Sequence, residues 1–115
     1  MLEFIASGSP QTVARAIEEY ARSSGLVSAI VVPWESDASA ISMSVTSVRA
    51  DGWAIEHTNL GTIRLTGAGS DRTAVAAIPD LADHPEQGKL AALFDRFARQ
   101  VQHRFGTDRA EVPAS

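Results

Sequence analysis

The stretch Asp83–Phe105, DHPEQGKLAALFDRFARQVQHRF, carries the clearest amphipathic helix pattern in the chain. Leu90, Leu93, Phe94, Phe97, Ala98, Val101 and Phe105 recur at the three- and four-residue spacing that gathers them on one face of an α-helix. Lys89, Asp95, Arg96, Arg99, Gln100 and His103 fill the opposite face, and Asp95 precedes Arg99 by one turn, the favourable order for a surface ion pair. Asp83 and Glu86 have capping-box spacing, and Pro85 suits a first turn. His103 and Arg104 suit the negative end of the helix dipole, and Gly106 predicts a left-handed stop. Gly88 weakens the first turn, so the start is expected at Asp83 or one turn later.

A helix with one apolar face needs a surface to lie on, and the preceding residues supply strands. Leu2–Ser7 predicts a short strand with Leu2, Phe4 and Ala6 on one face. Ser9 and Pro10 predict a helix start, with Val13, Ile17, Tyr20 and Ala21 as its apolar stripe and Ser23–Gly25 as its end. Leu26–Trp34, LVSAIVVPW, is apolar on both faces and predicts a strand covered on each side, with Pro33 ending the regular pairing or sitting at an edge. Ile41, Met43 and Val45 alternate with Ser42, Ser44 and Thr46, the pattern of a strand with one buried and one wet face. Val48 breaks that phase and predicts a bulge or strand end near Ser47.

Asp51–Gly52 predicts a hairpin turn. Trp53, Ile55 and His57 then share a phase that Ile63 and Leu65 continue, leaving Asn59–Gly61 as either a turn or a kink within one long strand; the single apolar residue between Asn59 and Gly61 favours a break. Gly67–Asp71 predicts a turn, and Arg72–Pro79 the last strand. Short connections favour a meander of neighbouring strands. The fold class is α+β: one antiparallel sheet of five to six strands, in the order β-α-β-β-β-β(-β)-α, with a long helix across it.

The chain has 115 residues, 44% apolar and 21% charged, which fits one domain with one core. Its net charge is −4 and its pI about 5.2. Nine of its ten basic residues are Arg, scattered rather than striped, which argues against nucleic acid. The absence of cysteine removes disulfides, thiolate catalysis and cysteine metal sites, and suits a reducing, cytoplasmic setting. MLEFIASGSP lacks the basic and apolar regions of a signal peptide, and no apolar run approaches the ~20 residues of a membrane span.

The stretch LGTIRLTGAGSDRTAVAAIP, an acidic-proline loop and then KLAALFDRFARQVQHRF resembles the C-terminal half of the START-like superfamily, which includes polyketide cyclases and lipid-transfer domains. The opening strand and helix, Leu2–Gly25, fit as well, although fuller members place a pair of short helices there. The resemblance implies a helix-grip fold, a curved sheet wrapped on the C-terminal helix around an apolar cavity, with residues 1–106 as one domain and 107–115 as a flexible tail. It carries no catalytic signature. In such a fold Val32, Trp34, Met43, Trp53, Ile55, Phe94, Phe97 and Val101 are expected between sheet and helix, with His57 as the polar anchor of a small apolar or aromatic ligand.

Other chemistry has less behind it. Glu56 and His57 are strand neighbours on opposite faces, so they form no dyad. Asp80, Asp83 and His84 could hold a divalent ion, but Asp83 reads first as a helix cap and Asp80 as a loop carboxylate. The GAG of 67–69 lies between strands and is a turn, not a phosphate cradle. No cofactor or metal is expected. The rival reading is a ligand-free interaction module, a homodimer meeting through the wet face of Ile41–Val48 or a free edge strand. A third, a cyclase-like or hydrolase-like enzyme, rests on His57 alone.

Overall fold

The computed structural model describes residues 2–37, 39–51, 53–81 and 85–106, apart from the side chains of 49–51, 54 and 56. The elements are β1 (Leu2–Ser7), α1 (Pro10–Ser24), β2 (Val27–Val31), β3 (Ala40–Asp51), β4 (Ala54–Gly67), β5 (Arg72–Pro79) and α2 (Gln87–Phe105), with a 3₁₀ turn at Pro33–Glu35. The strands form one antiparallel sheet in the order β1-β5-β4-β3-β2. The fold is therefore α+β with a five-stranded antiparallel sheet and a C-terminal helix. Consecutive strands β2 to β5 pair as a meander, and β1 returns to the far edge beside β5.

Local chemistry accounts for the boundaries. The Ser9 side chain accepts from the Thr12 backbone N–H at 3.3 Å, Pro10 takes the first helical turn of α1, and Gly25 closes it in the left-handed region. α1 buries Val13, Ala14, Ile17 and Ala21. α2 begins at Gln87, without a side-chain cap, so the helix starts a turn after Asp83. The expected roles of Asp83, His84, Gly52 and the 107–115 tail fall outside the described residues. Gly106 is not a left-handed stop: its backbone is extended (φ −70), and it bridges to Ala6 on β1. A Cβ there would collide with the Gln102 carbonyl, which is why glycine serves.

Both helices lie on one face of the sheet. Phe94, Phe97, Ala98 and Val101 of α2 join Ile41, Met43 and Val45 of β3, Ile63 and Leu65 of β4, and Val75 and Ala77 of β5 in a single core. Tyr20 ties the helices together. Its ring stacks on Phe97 at 6.0 Å, meets Phe105 edge-on at 6.1 Å and lies under the Arg104 guanidinium, while its hydroxyl donates to Gln100 Oε1 at 3.0 Å.

Two strand expectations are corrected. β2 is an edge strand rather than one covered on each side: Val27 and Ala29 face α1, and Ile30 faces outward and is exposed. There is also no break at Asn59–Gly61. β4 runs on through it, with one extra residue against β3: Val45 pairs with Gly61 and Thr46 with Asn59, leaving Leu60 as the bulge. The irregularity expected near Ser47 thus falls between Val45 and Thr46 on β3, with the extra residue carried by β4. Leu60 turns into the core, fully buried, and its carbonyl accepts from the Asp80 N–H at 3.0 Å. At Gly61 a Cβ would strike the Ile78 carbonyl and crowd the Phe94 ring, so only glycine lets β5 and α2 close over this point.

Candidate functional site

The bulge decides where the candidate residues point. Side chains alternate along a strand, and one inserted residue reverses the phase beyond it. Ile63 and Leu65 face the helices, so on the far side of Leu60 the odd-numbered residues face away from them. Ile55 is 65% exposed and His57 is exposed on that outer side, and Trp53, at the hairpin end, is 101% exposed. These three do not lie between sheet and helix. Neither does Trp34, at 83% exposure: Pro33 turns the chain into a 3₁₀ turn that swings the indole outward. Val32 is half-buried, its N–H donating to the Ser42 carbonyl at 2.8 Å.

Met43, Phe94, Phe97 and Val101 do lie between sheet and helix, and they are buried against one another and their neighbours. One space beside them lies at one side of α2. There Leu2 of β1, Ala77 and Pro79 of β5, and Ala91, Phe94 and Ala98 of α2 line a groove of about 260 Å³. Of the expected site residues, Phe94 alone reaches it. The groove exists because small side chains face each other: Ala91 and Ala98, two turns apart on α2, stand opposite Ala77. The sequence holds that signal as alanines on one helical stripe, a weaker mark than aromatic rings. At the rim, Asp95 and Arg99 form an ion pair, Arg99 Nε donating to Asp95 Oδ2 at 2.9 Å. The pair is largely exposed, so its own contribution to stability is small. It does offer a cation and an anion beside an apolar wall.

No catalytic constellation assembles among the described residues. No hydrogen bond to the His57 side chain occurs among them, and no cluster of three His, Cys, Asp or Glu side chains suited to a metal is found there. Asp80 is engaged elsewhere, accepting from Asn59 Nδ2 at 3.4 Å. Asp37 is the described residue whose carboxyl is displaced from its ordinary range. The Ser39 backbone N–H, then the Ser39 hydroxyl and the Ala40 N–H, donate to its carboxylate and hold it below the usual carboxylate range. That carboxylate closes the turn ahead of β3, a structural task. Among the described residues no helix is long and apolar enough to cross a membrane.

No family model, no curated protein and no solved structure matches the chain. The site's geometry must therefore speak for itself.

Proposed function

We propose that the protein is a small START-like domain, working in the cytoplasm, that binds a small apolar or aromatic molecule without covalent chemistry in the groove between α2 and the β1–β5 side of the sheet. The observation that carries this reading is the groove itself: about 260 Å³ of space lined by apolar side chains beside an otherwise filled core. Ligand sites are concave, mostly apolar and marked by a few polar groups, and run from ~300 Å³ upward. A groove just below that range suits one or two fused rings or a short chain. Its position, between a sheet and a C-terminal helix, agrees with the START-like resemblance. Phe94 supplies the aromatic face, and Arg99 can hold an acidic end of the ligand in place of Asp95. Affinity comes from apolar area at about 25 cal/mol per Å², less the cost of association.

The test pairs discovery with a probe. Native mass spectrometry of protein purified from its own host, against a denaturing run, looks for a small molecule that leaves on unfolding. Titration with naphthalene-2-carboxylate, followed by NMR, should shift the amides of Ala77, Phe94 and Ala98. Ala91→Phe, which fills the groove from a half-buried position, should abolish those shifts while the spectrum stays folded. Shifts elsewhere, or unchanged binding in Ala91→Phe, would refute the site.

A further inference from the structure

Independently of the groove, we infer that the sheet face turned away from the helices is a self-association surface, on which a second copy of this chain packs sheet to sheet. The pairing register defines that face. Ile30, Ser44, Thr62 and Ile78 run across four strands in one row, and Ile5 stands on the edge strand beside Ala74. Beyond the bulge, Ile55 and His57 extend the same face along the β3–β4 arm, which reaches past the ends of β2 and β5. Most of the exposed large apolar side chains gather here, with Ile5, Ile30 and Ile55 on the face and Leu26 and Trp53 at strand ends; Trp34 stands apart in the 3₁₀ turn.

Shape, charge and area together point to a like face as the partner. The side chains between the isoleucines are small (Ser44, Thr46, Thr62, Thr66, Ala74, Ala76), so the surface is flat, and a flat sheet face is matched by another sheet face about 10 Å away. Over Ala74 and Ala76 it dips into a trough of about 540 Å³ that a side chain of the opposing sheet can enter. The charged groups stand mostly at the margin: Glu3 on the edge strand, Arg72 at the start of β5, and Glu35 and Asp37 in the turn beside Ser42. Only Arg64 stands further in. Apart from Arg64, which stands on the central strand two residues from Thr62 and lines the trough, the charges form a polar rim. The charges are of both signs, so two copies meet without accumulating like charge, although the whole chain carries −4. A partner chosen by opposite charge would find little here to read. Five strands at ~4.8 Å spacing and about seven residues long give a face of roughly 600 Å² in projection before the arm is added, close to the ~800 Å² per partner of a standard interface.

Sedimentation velocity from low to high micromolar concentration tests this. The wild-type chain should form dimers. Thr62→Lys sets a cation at the centre of the face, opposed by its own copy, and should weaken the dimer by about tenfold or more. Ser44→Glu should do the same should the lysine variant fail to fold. Ala92→Lys, on the exposed side of α2, should leave the dimer intact. In a variant with Trp34→Phe, Trp53 emission should shift to the blue as the dimer forms. A wild-type chain that stays monomeric throughout would overturn the inference, as would a dimer that survives both Thr62→Lys and Ser44→Glu.

Discussion

Replacing Trp53 and Phe97 by alanine, one at a time, gives opposite results if the bulge at Leu60 sets the phase of β4. Phe97 is 3% exposed, packed between Tyr20 and the sheet. Truncating it removes on the order of 150 Å² of buried apolar surface, about 4 kcal/mol at ~25 cal/mol per Å², and leaves a cavity, in line with the 3–5 kcal/mol typical of buried phenylalanine. Trp53 is fully exposed, so the same truncation should change stability by no more than about 0.5 kcal/mol. Urea unfolding followed by far-ultraviolet circular dichroism, at concentrations low enough to keep the chain monomeric, reads both without depending on the indole. A loss of more than about 2 kcal/mol in Trp53→Ala would refute the argument. It would mean that Trp53 is core, that the odd-numbered residues of β4 keep one phase from end to end, and that the extra residue at Leu60 is misplaced.

Two further outcomes follow from individual contacts. Gly61→Ala forces a methyl group against the Ile78 carbonyl and the Phe94 ring, and should cost about 1–3 kcal/mol, lowering the melting temperature by ~4–8 °C per kcal/mol. A neutral Gly61→Ala variant would mean that β5 and α2 are not closed over the bulge. Asp37→Asn tests the turn before β3: the folded carboxylate titrates below its unfolded value, so its contribution is present above the unfolded pKa and is lost as pH falls through the folded one. Wild type should therefore melt above Asp37→Asn at neutral pH, and the two curves should converge in acid below the usual carboxylate range; a constant offset would show that the charge is not what matters.

The parts of the fold legible in the sequence are those in which one residue type has one physical use. Ser9-Pro10 can cap and open a helix, Gly25 can close it, and Ile41-Met43-Val45 against Ser42-Ser44-Thr46 can face only one way along a strand; the structure agrees on each, except that Ser42, expected on a wet face, is buried beside Glu35. β4 was misleading for an equally physical reason. Trp53, Ile55, Ile63 and Leu65 are all odd-numbered, and strict alternation puts them on one face. One additional residue makes that parity worthless. Asn59-Leu60-Gly61 announces an irregularity, but a glycine that permits a turn and a glycine that permits close approach of a neighbouring strand look identical in one dimension. The groove was hidden for a different reason. A search for large apolar side chains finds what fills space, and here space is left by Ala77, Ala91 and Ala98, whose significance lies in facing one another across two elements.

The bulge has a consequence beyond the placement of four residues. Had β4 kept one phase, Trp53 and Ile55 would have extended the apolar inner face along the β3–β4 arm, past the ends of β2 and β5. α1 packs on β2, β3 and β4, and α2 on β1, β4 and β5. Inserting Leu60 instead drives one leucine into the core at the point where Asp80 ties the end of β5 to β4, and moves the arm's apolar side chains to the face that already carries Ile5, Ile30 and Ile78. The inner face then closes over a filled core, while the outer face grows longer and more apolar. A single inserted residue thus divides the sheet into a side that holds the molecule together and a side that leaves Ile5, Ile30 and Ile55 exposed.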